Sequence, residues 1–295
     1  MQTQMTSLLK SQYRLPLFYL ILGAVAIGFA PIFVRLSEVG PIATGFWRVA
    51  LAFPLLTLFS IDQGTTQPDT SQPISWRDYA WILFAGVLFG ADLATWHFSI
   101  HYTTVANATL LANFSPVILA LWGWLVLGQR PQAQLVWGLV LAILGVAILV
   151  HPNLQLGQST WRGDALAFFT SFYYTAYLLA MNRARRIFSA VVSMAIASFS
   201  SMLFLALLMW GTGEVWFPVS LTGWFVLLGL AFFSHILIAY AFPYLPATFA
   251  ATTLLVQPMI AAMAGWFFFA EKLSLLQITG LLVALGGIFL AKKTI

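Results

Sequence analysis

The stretch TTVANATLLANFSPVILALWGWLVLGQRP, Thr103 to Pro131, decides how this chain folds. Most of it is apolar enough to lie in lipid, yet it carries Asn107, Asn113 and Pro116. A second stretch, YLPATFAATTLLVQPMIAAMAGWFFFAEKL from Tyr244 to Leu273, has the same construction. Sliding the sequence by 142 residues lays one on the other without a gap. Between 104–148 and 246–290 ten positions are identical, among them Pro116/Pro258, Gly123/Gly265, Trp124/Trp266, Gly138/Gly280 and Gly145/Gly287. Arg130 and Lys272 match conservatively. Apolar residues coincide easily by chance, but Pro, Gly and Trp in register do not. The chain reads as an internal duplication.

Composition sets the medium. Of 295 residues 61% are hydrophobic and only 7% charged, where a soluble domain carries about 25% charged residues. The mean hydropathy of +0.92 agrees. The net charge of +5 does not point to nucleic acid, because the basic residues gather at the ends of apolar runs, as membrane topology demands. With no cysteine, disulfides, thiolate catalysis and Cys-ligated metals are excluded.

A bilayer core of roughly 30 Å needs about 20 apolar residues per helix. Cutting at charged, Gly and Pro clusters yields spans at 17–35, 41–60, 78–99, 104–126, 133–151, 162–182, 189–210, 220–241, 246–269 and 274–291. The expected fold is therefore an all-α integral membrane protein with ten transmembrane helices. The first apolar run, Leu15 to Val34, is too long for a cleaved signal and precedes Arg35 and Glu38, so it is expected to stay. With the N-terminus inside, the cytoplasmic side collects Lys10, Arg14, Arg77, Arg130, Arg183, Arg185, Arg186, Lys292 and Lys293. The outside collects Arg35, Arg162 and Lys272. That bias puts both termini in the cytoplasm.

Each copy of the duplication holds five spans, 17–151 and 162–292. Five is odd, so the second copy enters the bilayer upside down. Inverted repeats are the architecture of secondary transporters, whose two halves exchange conformations around a central site; some channels share it.

Three segments carry a family resemblance: GFAPIFVRLS with GPIATGFWRVALAFPLL within 28–56, YTTVANATLLANFSPVILALWGWLVLGQR at 102–130, and PATFAATTLLVQPMIAAMAGWFFFAEKL at 246–273. The chain resembles the drug/metabolite transporter superfamily, of the type with two EamA repeats, over roughly 17–292. The resemblance implies a ten-helix inner-membrane exporter or exchanger with a cavity lined by both halves. Gln129 departs from the family's usual Glu, which Glu271 retains in the second copy.

Polar groups inside a span are costly and are functional candidates. Arg48 lies seven residues into the second span, Asp92 fourteen past Asp78 on the third. At 1.5 Å per residue these sit about 10 Å from one surface and about 21 Å from the other, which is a common depth. The two are expected to be neighbours and candidates for a buried ion pair, either as a tie between spans or in gating and proton coupling. Trp96 shares a helix face with Asp92, and His97 lies on the adjoining face. His235, in the middle of the eighth span, is a candidate proton carrier. Asn107, Asn113 and Gln257 accompany Pro116 and Pro258. Each proline deletes one helical hydrogen bond and frees a carbonyl, that of Ala112 or Leu254. Polar backbone so freed must face protein or a water-filled cavity, unless the kinks only shape packing. Tyr173 and Tyr177, one turn apart on the sixth span, are further pathway candidates, with lipid contact or packing the plainer alternative. The matched rows Gly138/Ala142/Gly145 and Gly280/Ala284/Gly287 suit close helix packing, within the bundle or at a dimer contact, so monomer and homodimer both stay open.

The expectation is a secondary carrier exporting or exchanging a small organic solute, an amino-acid-like metabolite or a hydrophobic drug, by alternating access. Protons are the candidate coupling ion. An uncoupled channel or facilitator is the alternative, and an intramembrane enzyme a distant one, since no nucleophile motif or paired aspartates appear. No phosphate loop, cofactor motif or metal-ligand spacing is present in the sequence.

Overall fold

The computed structural model describes residues 22–23, 25–62, 74–128, 133–155, 161–185, 187–232, 257–271 and 273–292. Arg130, Arg186, His235, Lys272 and the basic termini at Lys10, Arg14 and Lys293 lie outside the described residues. Eleven helices are found among the described residues: α1 (Ala30–Leu36), α2 (Pro41–Asp62), α3 (Trp76–Tyr102), α4 (Val105–Ala112), α5 (Ser115–Leu125), α6 (Ala133–Gln155), α7 (Trp161–Ala184), α8 (Ala190–Thr212), α9 (Leu221–Ala231), α10 (Gln257–Phe269) and α11 (Leu275–Lys292). Segments long and apolar enough to cross a membrane are Pro41–Leu58, Trp76–Tyr102, Val105–Leu125 and Val191–Thr212. This is a multi-pass membrane protein.

Short polar signals set the helix ends. Ser75 and Asp78 cap α3 reciprocally, the Ser75 N–H donating to Oδ2 of Asp78 at 2.9 Å. Ser189 caps α8 by accepting from the Val192 N–H, and Gly213, at φ 68°, ends the same helix in the left-handed conformation. Thr104 caps α4 by accepting from the Asn107 N–H at 3.2 Å.

The opening stretch is two helices. α4 stops at Asn113, whose φ and ψ are −79° and 13°. The Phe114 N–H reaches back only three residues, to the Leu111 carbonyl at 3.2 Å. Pro116 then sits in the first turn of α5, where its missing N–H removes no helical bond. The break therefore precedes the proline instead of surrounding it. Asn113 covers one turn by donating from Nδ2 to the Thr109 carbonyl at 2.8 Å.

The most extensive helix contact is α6 against α11, with α3 against α7 next. A Cβ built on Gly145 would overlap the backbone of Ala284, and one on Gly287 the backbone of Ala142. Gly280 lies against Leu149 in the same seam. The pairing number falls on one helix as it rises on the other, so α6 and α11 run antiparallel. The small-residue rows therefore pack within the bundle. In lipid such packing rests on close approach and dispersion more than on release of water.

One buried cluster includes this seam and a second lies elsewhere in the bundle. One joins Leu110, Phe114 and Val117 to Leu149, Leu281 and Leu285. The other joins Ile42 and Val49 of α2, Leu93 of α3, Leu205 and Met209 of α8 and Leu227 of α9. At one end of the bundle the helices exchange caps. Glu214, after α8, accepts from the Ala43 N–H at the start of α2 at 2.9 Å. Glu38, between α1 and α2, accepts from the backbone N–H groups of Val219 and Ser220 at 2.9 and 3.0 Å, and from the Ser220 hydroxyl, at the start of α9. Carboxylates placed at helix N-termini satisfy open N–H groups and oppose the positive end of the dipole.

Candidate functional site

Polar side chains collect in two places. The first is the end of the bundle where α1, α3, α4, α7 and α10 meet. Arg35, in the last turn of α1, donates from Nη1 to Oε1 of Glu271 at 2.5 Å, from Nη2 to the Thr103 carbonyl at 2.6 Å and from Nε to the Ile100 carbonyl at 3.2 Å. Glu271 accepts in turn from the Val105 N–H at 3.1 Å. Beside them Asp164 accepts from the Thr103 hydroxyl at 2.6 Å and from Asn107 Nδ2 at 3.0 Å. Asn107 is thus a fully buried donor to α7. Glycine makes the approach feasible: a Cβ on Gly163 would collide with the backbone of Tyr102 at the end of α3.

The second place lies within the spans, between α2, α3 and α7. Arg48 is 4% exposed and Asp92 7%. Asp92 stands one helical turn before Trp96 on the same face of α3. The expected direct pair is corrected: among the described residues the ion pair is Arg35–Glu271. The guanidinium of Arg48 instead lies over the Trp96 ring, 5.6 Å from its centroid, and aromatic attraction takes the place of a carboxylate contact.

Trp96 is buried on the Asp92 face. His97 is fully buried and turned to α2, its Nδ1 at 3.0 Å from the Pro41 carbonyl. A ring nitrogen facing a carbonyl carries the proton, so Nε2 is an acceptor. The rings of Trp96 and His97 are 5.5 Å apart.

Tyr173 and Tyr177 differ in their surroundings. Tyr177 packs on Phe89 of α3, with ring centroids 5.1 Å apart, but its companion is Tyr174 at 5.7 Å. Tyr173 is 38% exposed, and Phe169 and Phe172 beside it are exposed as well. A spacing of three and a spacing of four both return to one helix face, and α7 uses three here.

Around the helix break, the Thr175 hydroxyl of α7 donates to the Ser115 carbonyl at 3.3 Å. Gln257 and Pro258 open α10, both buried. An apolar groove of about 590 Å³ follows the break, lined by Phe114, Val117 and Leu121 of α5, Val146 of α6 and Phe168 and Phe172 of α7. Phe168 and Phe172 occupy a different face of α7 from Tyr174 and Tyr177. The groove is suited to an acyl chain or an apolar body and offers no charge. Arg48 and Asp92 are not among the residues that line it.

Sequence reasoning missed Asp164, Glu38 and Glu214. Each stands at a helix end and reads as an ordinary interfacial acid. Gly163, directly before an acid at the start of an apolar run, was the available signal.

The EamA-like transporter family model matches the chain twice, over residues 14–151 and 161–292. The pseudopaline exporter CntI of Pseudomonas aeruginosa is 27% identical over 206 residues, 64% of this chain and 66% of that protein. The chain thus spans just under two thirds of the length of that relative. Two uncharacterized transporters of Archaeoglobus fulgidus are similar over more of their length. One is 26% identical over 87% of this chain and 89% of its own, the other 24% identical over 92% and 94%. A crystal structure of a protein aligns over 95% of this chain and 96% of its own, with a TM-score of 0.64 at 16% identity, a likeness of fold.

Proposed function

The chain belongs to the EamA-like transporter family, whose business is moving a small solute across a membrane, and from that premise we propose that it is a secondary carrier working by alternating access. In this reading residues 17–151 and 162–292 are inverted five-helix repeats, ten spans in all, with both termini in the cytoplasm. It exports or exchanges a small organic solute, an amino-acid-like metabolite or a hydrophobic drug, through the inner membrane. The relative named as a pseudopaline exporter supports export as the direction.

The observation that carries the reading is the seam between α6 and α11. Gly145 abuts Ala284, and Gly287 abuts Ala142. Under the shift of 142 residues, Gly145 becomes Gly287 and Ala142 becomes Ala284. Each contact is therefore the other with the halves exchanged. Such exchange is what a two-fold axis between inverted halves produces, and it supports two conformations of nearly equal energy. The pathway then runs between the halves past Arg48, Asp92, Trp96, Tyr174 and Tyr177, with the breaks before Pro116 and at Pro258 beside it. A proton is the coupling ion this pathway can hold, on Asp92.

Counter-flow tests it. Purified protein in vesicles preloaded with one solute should accumulate its labelled form transiently, and the flux should saturate. An imposed pH gradient should drive net movement in the wild type and not in Asp92→Asn. Large steady currents without counter-flow would replace the carrier by a channel.

A further inference from the structure

Among the described residues, four of the five buried side-chain polar atoms that lack a hydrogen-bond partner belong to one contiguous group: Nε and Nη1 of Arg48, Nε1 of Trp96 and Nε2 of His97. Burying even one such atom unpaired is unfavourable. A native structure holding several together at one spot calls for a reason. The group is chemically sorted. Arg48 and Trp96 present only donors, and the guanidinium is a planar fork matched to a carboxylate. Asp92 presents only acceptors, and His97 Nε2, with Nδ1 engaged by Pro41, is an acceptor as well. Arg48 lies over the Trp96 ring and Asp92 stands one turn before Trp96 on the same face of α3, yet Arg48 and Asp92 do not close into an ion pair. Two opposite charges buried side by side without contact leave each free to take a separate opposite charge.

We infer that Arg48 and Trp96 form the carboxylate-binding half, and Asp92 the ammonium-binding half, of a site for a zwitterionic solute of the α-amino-acid type. This deepens the carrier reading and rests on it. A solute bearing both charges at neighbouring atoms satisfies the orphan donors and the free carboxylate at once. A bare amine would leave Arg48 and Trp96 unanswered, and a bare acid would leave Asp92 unanswered. Recognition by buried polar groups rejects such analogues strongly, because the missing partner is not replaced by water. Asp92 and Trp96 stand on α3, which packs extensively along α7 of the other half, so the site can report occupancy to both halves. Phe89 and Tyr177, stacked next to it, present apolar surface for the solute's side chain.

The test uses the full chain. Thermal stabilisation of the solubilised protein is screened against the standard α-amino acids. The best binder is then compared with the amine lacking its carboxylate and the acid lacking its ammonium; for leucine these are 3-methylbutylamine and 4-methylpentanoate. The amino acid should bind about tenfold or more tightly than either analogue, the worth of one charge-assisted hydrogen bond. Arg48→Gln should abolish the preference over the amine, and Arg48→Lys should restore part of it. Asp92→Asn should abolish the preference over the acid. Trp96→Phe, which keeps the ring and removes the donor, should weaken the amino acid and the acid but not the amine, and serves if Arg48→Gln fails to fold. Wild type that binds the amine as well as the amino acid overturns the inference, as does a full preference persisting in Arg48→Gln. If amino acids neither bind nor counter-flow while a cationic drug does, the inference falls and the carrier stands. If no solute counter-flows, the carrier reading itself fails.

Discussion

Arg35 and Glu271 are 236 residues apart in the chain and meet as an ion pair, Nη1 to Oε1 at 2.5 Å. The contact ties the end of α1 to the end of α10, and through the Thr103 carbonyl and the Val105 N–H it also holds the junction of α3 and α4. Closure at this end, with the break in the fourth span beyond it, is one conformation a carrier must be able to leave. The tie should therefore matter to both stability and turnover.

Glu271→Gln keeps the shape and removes the charge. About 1–3 kcal/mol of stability should be lost, the range for a hydrogen bond to a charged group. Arg35→Gln should cost a similar amount, and the double variant clearly less than the sum. Melting curves of the three proteins check this; additive losses would show that the two side chains act independently.

Glu38 sets a pH dependence. The Ser220 hydroxyl, followed by the Ser220 backbone N–H, holds its carboxylate below the ordinary range. A carboxylate whose folded value is depressed stabilises the fold above its unfolded value, and the contribution disappears as pH falls through the lowered one. Glu38→Gln should therefore melt below wild type at neutral pH, and the two curves should converge in acid. A gap that stays constant down to acid pH would contradict this.

The α6–α11 seam should reject any added side chain. Gly145→Ala presses a Cβ into the backbone of Ala284, and overpacking of this kind costs roughly 1–3 kcal/mol. Gly211→Ala, in α8 with nothing within 4 Å, is the control. It should be neutral or stabilising by up to about 1 kcal/mol, the helix-propensity gain of Ala over Gly. The yield of monodisperse protein after solubilisation, with its melting temperature, distinguishes them.

Asn107→Leu removes a donor from buried Asp164. The carboxylate keeps its Thr103 bond but loses the amide, so stability should fall by roughly 1–3 kcal/mol. Asp164→Asn in the Asn107→Leu background should recover part of the loss, since a neutral amide needs fewer donors. Melting temperatures of the single and double variants provide the measurement.

What could be read from the chain and what could not follows one rule. The break near Pro116, the offset of 142 residues and the shared depth of Arg48 and Asp92 depend on local geometry: a missing N–H, a register, a rise per residue. Contacts between the two copies have no such signature. Asp164 became part of the polar cluster only because Gly163 lets α7 approach Tyr102, and Arg48 lost its expected carboxylate contact to the ring of Trp96. The tyrosines show the limit most clearly: helical periodicity permits either Tyr173 or Tyr174 as the partner of Tyr177, and only the folded structure shows Tyr174 against it. His235 lies outside the described residues and stays an expectation.

The traded caps have one more consequence. Glu214 completes a helix start that belongs to the N-terminal portion, and Glu38 one that belongs to the C-terminal portion. Severed between α6 and α7, each fragment would carry the other's missing anion and lack its own. Two such fragments made in the same cell should find one another and rebuild the whole, whereas either one alone should be cleared by proteolysis.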